Sequence, residues 1–351
     1  IGQARSPAWS AFTPEARVVY SPAKLGIFSE LKVIAFCAFF LWANFIVAFL
    51  PLIVYGAYAG SYFCRAYFVV AAIDFAAPLR PGVRGMWPAW CRWTSFADGL
   101  CSYFDAELVV EGELKKDKNY LLCYYPHGLF GIGYSLMTKH LYEAYGSITL
   151  FTAADVIVYI PILRRIMTWW GYTSASRGPM VKNMQHAYPF NVLELHPDGI
   201  AGMFYGTRHE QIVLNKRKGF CKIALQTGCH IVPSYVFGAN EVYTRYFEHT
   251  GAMAKLSSVL QTSLVVWTGR WGIPMLPVPH RSKLVAVIGA PIEVTKVAEP
   301  TKEEVEALHA KFVAEVRALY DRHKGRMGAE WAARRDKLYL EDEKTPSKKR
   351  D

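Results

Sequence analysis

The sequence predicts an α/β fold, with a mostly parallel sheet flanked by helices, preceded by an N-terminal transmembrane helical hairpin. From about Val109 onward, short β-type runs alternate with helical or glycine-bearing stretches, a pattern typical of parallel sheets. Ahead of that region no charged side chain occurs between Lys32 and Arg65. An uncharged run of about 20 residues is enough to cross a bilayer as a helix.

The apolar segment continues to Ile73 and contains Arg65 as its single charge. We expect two helices, roughly 33–50 and 52–73, with a turn near Pro51, because proline removes a backbone hydrogen-bond donor. Basic residues on both flanks favour a hairpin with both ends in the cytosol; the alternative is one tilted span followed by an interfacial stretch. The tryptophans that follow this segment could lie at the level of the lipid headgroups or in a protein core, and the sequence does not separate the two; they are Trp87, Trp90 and Trp93.

The globular part contains five candidate strands and four candidate helices. The strands are Glu107–Val110, Tyr120–Tyr125, Val192–Leu195, Ile231–Val236 and Lys283–Ile288. The helices are Leu136–Tyr145, Ile162–Trp170, Lys218–Gln226 and Val305–Arg322. The last helix is the most clearly marked, because Thr301 and Glu304 form a capping box ahead of an apolar stripe. From Arg334 the chain becomes strongly charged, which predicts a solvated tail.

These boundaries divide the chain into four parts. They are a cytosolic N-terminal segment (1–32), the transmembrane hairpin (33–73), the globular domain (74–330) and the charged C-terminal tail (331–351).

Composition narrows the class of partner. The net charge of +11 indicates an anionic partner: nucleic acid, an acidic membrane surface or a phosphorylated substrate. No nucleic acid is expected, because the sequence has no recognised binding module and the cations lie in a membrane-flanked context. The 7 cysteines include no CxxC pair, and no Asn-x-Ser/Thr acceptor occurs, so we expect a reducing, cytosol-facing protein. No dinucleotide loop appears, and no metal is implied.

The stretch YYPHG places His127 on a loop after an apolar run. Sites in open α/β sheets gather at the carboxyl ends of strands. A histidine of near-neutral pKa at such a place can take a proton from a hydroxyl nucleophile. The glycine that follows, Gly128, lets backbone N–H groups approach a developing oxyanion closely. A purely structural histidine at a strand end is the alternative.

A second apolar run ends at LHPDG, Leu195–Gly199. Asp198 is the natural candidate to orient His127 or to bind a substrate hydroxyl. The alternative is that Asp198 only forms a turn, because Pro-Asp-Gly is a turn signal.

A basic block, NKRKGF, opens a helix at Asn215–Phe220. Three consecutive cations do little for the helix dipole at that end, and they make more sense if a phosphate group binds there. A solvated basic face is the alternative. Arg177 and the pair Arg164–Arg165 add positive charge for the same ligand.

Taken in order, these blocks resemble the type 2 diacylglycerol acyltransferase family, which also contains monoacylglycerol and wax-ester acyltransferases. The blocks are YYPHG, RKGF with KIALQTG, VPSYVFGANEVY, GRWGIPMLPVPHRSKLVAVIGAPIEV and PTKEEVEALHAKFVAEVRALYDRHK, and the resemblance covers roughly residues 75–325. It implies a glycerolipid acyltransferase-like fold for the domain at 74–330. It also implies transfer of a fatty acyl group from acyl-CoA, as co-substrate, to the free hydroxyl of diacylglycerol, with no bound cofactor.

The resemblance further implies an enzyme of the endoplasmic reticulum membrane whose catalytic domain faces the cytosol, with the lipid droplet surface as a further location. Lys348 and Lys349 stand where a dilysine retrieval signal would, if Asp351 is the true end. Ile1 is no natural start, so we expect residues to precede it.

The resemblance implies that His127, in the Pro-His-Gly motif, is catalytic. Tyr125 stands where other members have a second histidine. Acyl transfer needs a general base, an oxyanion site and a cationic dock for the CoA phosphates. The candidates are His127 and Asp198 as the catalytic pair, Tyr125, Pro126, Gly128 and Gly199 as the acyl-transfer loop, and Arg177, Arg217, Lys218 and Gly219 as the phosphate dock. Direct attack by the alcohol needs no covalent intermediate, so Cys123 need not be a nucleophile.

One departure from the family concerns the acidic residue. Members usually show Gly-Gly-x-x-Glu where this chain has DGIAG at 198–202, so Gly202 occupies the glutamate position. The PDG sequence is similar instead to the Pro-Glu-Gly block of the wider glycerol-phosphate and lysophospholipid acyltransferases. Those enzymes pair their histidine with an aspartate five residues later, a position that is Ile132 here.

We therefore expect Asp198 to supply the acidic partner of His127, with Glu194 and Glu241 as substitutes. Other interpretations of the function remain open. The acceptor could be a monoacylglycerol, a fatty alcohol or a lysophospholipid, or the chain could be a lipid-binding membrane protein without catalysis. The sequence does not give the acyl-chain preference or the oligomeric state.

Overall fold

The computed structural model describes residues 17–20, 26–43, 46–82, 84–93, 97–129, 131–145, 148–185, 191–246, 251–260 and 264–346. Lys348, Lys349 and most of the expected N-terminal segment lie outside these ranges.

The strands are β1 (Arg17–Tyr20), β2 (Glu107–Val110), β3 (Asn119–Tyr125), β4 (Ile148–Ala153), β5 (Tyr172–Ser174), β6 (Asn191–Leu195), β7 (Gln211–Ile212), β8 (His230–Phe237), β9 (Thr244–Arg245), β10 (Trp267–Thr268), β11 (Val285–Ile288) and β12 (Tyr339–Leu340). The α-helices are α1 (Ile27–Ala43), α2 (Ile46–Tyr58), α3 (Tyr62–Ala76), α4 (Pro88–Trp93), α5 (Ala97–Tyr103), α6 (Ile132–Tyr145), α7 (Leu163–Trp169), α8 (Arg177–Met184), α9 (Gly199–Gly202), α10 (Gly219–Thr227), α11 (Ala252–Leu260), α12 (Lys302–His323) and α13 (Ala329–Arg334). Three 3-10 helices are Asp155–Tyr159, Ala239–Glu241 and Lys324–Met327.

The main sheet has the strand order β1-β2-β11-β8-β3-β6-β4-β5. The block from β8 to β5 is parallel throughout, and β11 pairs antiparallel with β8 but parallel with β2. The predicted α/β fold with a mostly parallel sheet is therefore confirmed. All five candidate strands and all four candidate helices occur, and the capping box of Thr301 and Glu304 is present at the start of α12.

Helices cover both faces of the sheet. Successive side chains of a strand point to opposite faces, so one strand contributes to the cores on both sides. From β3, Tyr120, Leu122 and Tyr124 enter the core under α1, α5 and α6. The alternate residues Leu121, Cys123 and Tyr125 enter a second core under α8, α10 and α12. Both faces of β3 are thus buried, as expected for a strand inside a parallel sheet.

The N-terminal region differs from the hairpin expected at 33–73. Pro51 lies inside α2, so the turn expected there is wrong; the chain reverses instead near Gly60, whose φ is +95°, and Ser61 then caps α3. Val33 and Cys37 of α1 are fully buried in the first core, so this helix begins as part of the globular domain. Among the described residues, no helix has both the length and the apolar character needed to cross a membrane.

The arginine pair that was a candidate for phosphate binding holds the end of α3. Nε of Arg164 and Nε of Arg165 lie 2.9 and 2.8 Å from the carboxylate oxygens of Asp74. Their outer nitrogens also donate to the Asp74 carbonyl oxygen. Cations suit a helix C-terminus, where unpaired carbonyl groups carry partial negative charge.

The solvated tail expected from Arg334 onward is wrong for the residues that follow α13. Strand β12 pairs with β7, and Leu338 and Leu340 are buried in the second core. Glu341 accepts hydrogen bonds from the main-chain N–H groups of Leu214 and Lys216. This segment is therefore an integral part of the domain.

Candidate active site

The candidate site lies where the parallel strands β3, β6 and β8 end side by side. Cys123 of β3 is level with Leu195 of β6, and Tyr125 is level with Tyr235 of β8. The loops that follow these strands carry His127, Asp198 and the 3-10 helix Ala239–Glu241. Parallel strands place their carboxyl ends at one edge, and this geometry joins residues distant in sequence. The Tyr125–Pro126 peptide bond, which leads into the loop, is cis.

His127 and Asp198 are in contact, but not through the imidazole. The main-chain N–H of His127 donates to Oδ2 of Asp198 at 3.2 Å. The ring nitrogen Nδ1 of His127 lies 3.3 Å from the carbonyl oxygen of Gly128 instead. Asp198 is fully buried, and its Oδ1 has no hydrogen bond within the described part of the chain. The expectation that Asp198 orients the His127 ring is thus corrected: it fixes the loop.

Burial shifts the protonation of both groups toward the neutral forms. It lowers the pKa of His127 to about 4, and the charge of Arg245 contributes to this shift. It raises the pKa of Asp198 to about 7, against hydrogen bonding from the His127 main chain and the charge of Arg217. At neutral pH the imidazole is therefore unprotonated, which is the form that can accept a proton from a hydroxyl group.

At two positions near this edge of the sheet, neighbouring atoms lie so close to the main chain that they would crowd a Cβ atom, and both positions are glycines. Gly128 has a φ of +64°, and a Cβ atom there would lie 3.0 Å from the Ala239 carbonyl oxygen. At Gly202, a Cβ atom would overlap the Oδ2 atom of Asp198. The carboxylate of Asp198 thus occupies the space into which a side chain at 202 would extend. Gly199, with a φ of +54°, has open space around it.

The sequence analysis missed His196, which lies beside His127. The ring of His196 packs against those of Tyr124 and His127, with centroid distances of 3.7 and 4.3 Å. Its presence in LHPDG, at the end of the strand next to the one that precedes His127, was the signal that could have identified it. Burial, with the neighbouring charge of His127, lowers the pKa of His196 well below its usual value.

The two substitute acids have partners other than His127. Oε1 of Glu194 accepts from Oγ1 of Thr138 on α6, and burial raises the pKa of this carboxyl group well above its usual value. Glu241 accepts from Nε1 of Trp331 at 2.9 Å and lies 3.1 Å from Nε of Arg335. Neither contact reaches the imidazole, so Asp198 is the candidate acid that the structure brings to His127.

A buried polar network behind the site was also missed. Glu210 accepts from the hydroxyl of Tyr235 at 2.6 Å and from Nδ2 of Asn240 at 3.2 Å. Asn240 in turn accepts from Arg245 at 2.9 Å. The second carboxylate oxygen of Glu210 lies 2.8 Å from Nη1 of Arg335. Tyr235 and Asn240 belong to the VPSYVFGANEVY block, but no local motif marks Glu210 or Arg335, which come from distant segments.

The residues predicted to bind the CoA phosphates do not all lie together in the structure. Gly219 begins α10, and Nη2 of Arg217 lies 3.5 Å from the Asp198 carbonyl oxygen, which brings this cation to the site. Lys218 lies 3.2 Å from Glu306, at the surface. Arg177 donates to Gln226 at 2.7 Å, close to the opposite end of α10. A helix of this length separates its ends by more than 10 Å at about 1.5 Å per residue, so Arg177 does not share the Arg217 position.

Cys123 is fully buried in the second core, and burial raises the pKa of its thiol well above the usual value. A nucleophilic thiol needs an accessible thiolate, which this environment disfavours.

Comparison with known proteins gives a consistent set of relatives. A family model described as diacylglycerol acyltransferase matches residues 59–335. Diacylglycerol O-acyltransferase 2 of Mus musculus is 28% identical over 281 residues, covering 75% of this chain and 70% of the relative. Diacylglycerol O-acyltransferase 2-like protein 6 of Mus musculus is 28% identical over 75% of this chain and 82% of the relative. Acyl-CoA wax alcohol acyltransferase 1 of Homo sapiens is 27% identical over 75% and 83%.

Among solved structures, the 1-acyl-sn-glycerophosphate (LPA) acyltransferase PlsC from Thermotoga maritima aligns with 83% of this chain and 98% of its own. The TM-score is 0.39 at 14% identity, too low to support a conclusion.

Proposed function

The chain belongs to the diacylglycerol acyltransferase family of lipid-metabolising acyltransferases, and from this premise we propose that it transfers a fatty acyl group from acyl-CoA to the free hydroxyl of diacylglycerol, forming triacylglycerol. The observation that carries the proposal is His127 itself: a partly buried, neutral imidazole at the end of β3, within the family's Pro-His-Gly motif. A neutral imidazole in a site of low polarity is suited to take a proton from an alcohol.

In this mechanism the acceptor hydroxyl attacks the thioester carbonyl carbon while His127 takes its proton. The carbonyl electrons move to oxygen, giving a tetrahedral intermediate. When the carbonyl is restored, the C–S bond breaks and the imidazolium returns the proton to the CoA thiolate. Asp198 holds the loop of His127 through the main chain. Arg217 and the first N–H groups of α10 bind the CoA phosphates, since a helix N-terminus favours anions.

The N-terminal helices support a location at a bilayer. Helices α2 and α3 pack against each other and expose large apolar side chains. Examples are Leu52, Tyr55, Tyr58, Tyr62, Phe63 and Ile73. Large apolar side chains exposed in such number are typical of a membrane or protein interaction site. We propose that it anchors the domain to the endoplasmic reticulum membrane, or to a lipid droplet surface, with the site facing the cytosol.

A panel of acceptors tests the function. Membranes carrying the full chain are incubated with labelled acyl-CoA and diacylglycerol, monoacylglycerol, a fatty alcohol or a lysophospholipid, and the lipid products are separated. We expect triacylglycerol from the wild type and a loss of at least about 100-fold in His127→Ala, the usual scale for a general base. Absence of transfer to every acceptor in the wild type contradicts the proposal.

A fatty-alcohol acceptor is the second candidate, because acyl-CoA wax alcohol acyltransferase 1 of Homo sapiens aligns over 83% of its length. Wax ester as the main product of the same panel would favour it.

A further inference from the structure

His196 has hydrogen-bonding capacity that the fold does not use. Its two ring nitrogens are buried, and neither makes a hydrogen bond of normal geometry with a described residue, although the Tyr124 main chain lies close enough to oppose the lowering of the His196 pKa by burial. A neutral imidazole offers one N–H donor and one acceptor, and leaving a buried group of this kind without a hydrogen bond is destabilising. Buried polar side chains are nearly always paired, so an unpaired one beside a candidate base indicates a position for a ligand atom.

The surroundings of His196 fix its ring. The ring of Tyr124 lies at a centroid distance of 3.7 Å from it and the ring of His127 at 4.3 Å. A glycine stands opposite Nε2: a Cβ atom at Gly131 would overlap this nitrogen and crowd the Tyr124 hydroxyl. A bulkier residue there would push the ring aside, so the second glycine of YYPHGLFG is required by His196.

We propose that His196 is a second catalytic imidazole, whose N–H binds the thioester carbonyl oxygen of acyl-CoA while the adjacent His127 takes the proton of the acceptor hydroxyl. This inference rests on the proposed acyl transfer. The N–H of His196 donates to the oxygen that gains negative charge as the tetrahedral intermediate forms. It keeps its own proton throughout, and the proton taken by His127 leaves on the CoA sulfur.

The division of roles follows from the two rings being adjacent and partly buried. A proton on one imidazole disfavours a proton on the other, so the pair carries at most one extra proton. While His127 is the imidazolium, His196 stays neutral and keeps a single N–H. Preorganised donors aimed at a developing oxyanion are a large term in acyl transfer, about 100- to 1,000-fold in rate for one donor.

Two variants at 196 separate a donor from a packing residue. His196→Phe keeps an aromatic ring against Tyr124 and His127 and removes both nitrogens, whereas His196→Gln restores an N–H donor without a titrating group. We expect kcat to fall about 100-fold in His196→Phe with the KM for acyl-CoA within about twofold. We expect His196→Gln to recover at least about tenfold of that loss.

His230→Phe is the matched control. The ring of His230 also contacts a tyrosine of β3, Tyr120, edge-to-face at a centroid distance of 5.7 Å, but at the opposite end of the strands. We expect wild-type kcat from it. The inference is overturned if His196→Phe turns over like the wild type, or if His196→Gln is no faster than His196→Phe while both melt like the wild type. Lack of transfer by the wild type itself would instead remove the proposed function.

Discussion

The main-chain N–H of His127 donates to the buried carboxylate of Asp198 across 3.2 Å, and this bond joins the loops that follow two neighbouring parallel strands. By accepting this hydrogen bond, Oδ2 of Asp198 holds the Pro-His-Gly loop next to the Pro-Asp-Gly loop. The acid acts on the position of the histidine, and an imidazole–carboxylate pair is not part of this arrangement.

The first prediction follows from this bond. Asp198→Asn keeps an acceptor oxygen for the His127 N–H, so we expect kcat within about tenfold of the wild type, whereas Asp198→Ala removes the acceptor and leaves a buried donor unpaired. We expect Asp198→Ala to lose at least about 100-fold in kcat, measured as acyl transfer in membranes at matched protein levels. A loss in Asp198→Asn as large as in His127→Ala would show that the charge itself is needed.

A second prediction concerns the exchange of residues 198 and 202 relative to the family pattern. Asp198 fills the space that a side chain at 202 would enter, so Gly202→Glu alone places two carboxyl groups in one pocket and we expect no activity. Asp198→Gly alone loses the acceptor. In the double variant the glutamate enters the vacated space, and we expect at least about tenfold more activity than in either single variant. Purely additive losses, measured as a double-mutant cycle, would contradict this exchange.

The pH dependence of the reaction is the third prediction. The base is active when neutral, and burial lowers the pKa of His127 to about 4, so kcat/KM is retained below the usual histidine value of about 6.5 and lost as pH falls through about 4. Asp198, whose pKa burial raises to about 7, titrates in the same window. We therefore measure the profile in Asp198→Asn, which removes that group. A limb near pH 6.5 in this variant would show that His127 is not desolvated in the free enzyme.

The edge of the sheet that carries the site could be predicted from the sequence, but part of the site could not. Apolar runs ending in YYPHG and LHPDG marked β3 and β6, and their parallel pairing follows from the α/β alternation. His196 stands at the end of an apolar run, which was a signal, but it was passed over because its role depends on contact with the His127 ring, which no spacing in the sequence reports. Glu210 and Arg335 meet only after distant segments fold, so no local pattern reports them.

The structure of the segments outside the main sheet was predicted less accurately from the sequence. The apolar stretch around Arg65 correctly predicted helical structure, but three helices stand where two were expected, and α1 packs Val33 and Cys37 into the domain core. Hydrophobicity alone does not distinguish burial in protein from burial in lipid. Similarly, the high charge after Arg334 concealed two apolar residues, Leu338 and Leu340, which are buried in the second core where β12 pairs with β7.

The fourth prediction tests the phosphate dock. Arg217 lies next to Asp198 at the start of α10, and Arg177 lies near its other end. We expect Arg217→Ala to raise the KM for acyl-CoA about five- to tenfold, with kcat changed less, because the lost contact acts on bound and transition states alike. Arg177→Ala is the control and should leave this KM within about twofold. Equal effects of the two substitutions, or a kcat effect alone, would place the phosphates elsewhere.

The last prediction concerns the C-terminal segment, which ties into the network behind the site. Arg335 binds the buried carboxylate of Glu210 at 2.8 Å and also contacts Glu241 at 3.1 Å. Removing one partner of a buried ion pair leaves an uncompensated charge, a loss of about 3–5 kcal/mol. We expect Arg335→Met to lower the free energy of unfolding by about 3 kcal/mol, and Arg334→Met, at the neighbouring exposed position, by less than about 0.5 kcal/mol.

A double variant separates the charge from the packing of Arg335. Adding Glu210→Gln to Arg335→Met removes the stranded carboxylate while keeping hydrogen-bonding groups for Tyr235 and Asn240. We expect the double variant to recover at least about 1 kcal/mol relative to Arg335→Met, because a neutral amide costs less to bury than an unpaired charge. Thermal and denaturant unfolding in detergent would measure both steps. If Arg335→Met unfolds like Arg334→Met, the C-terminal segment is dispensable for stability and the network is closed by other residues.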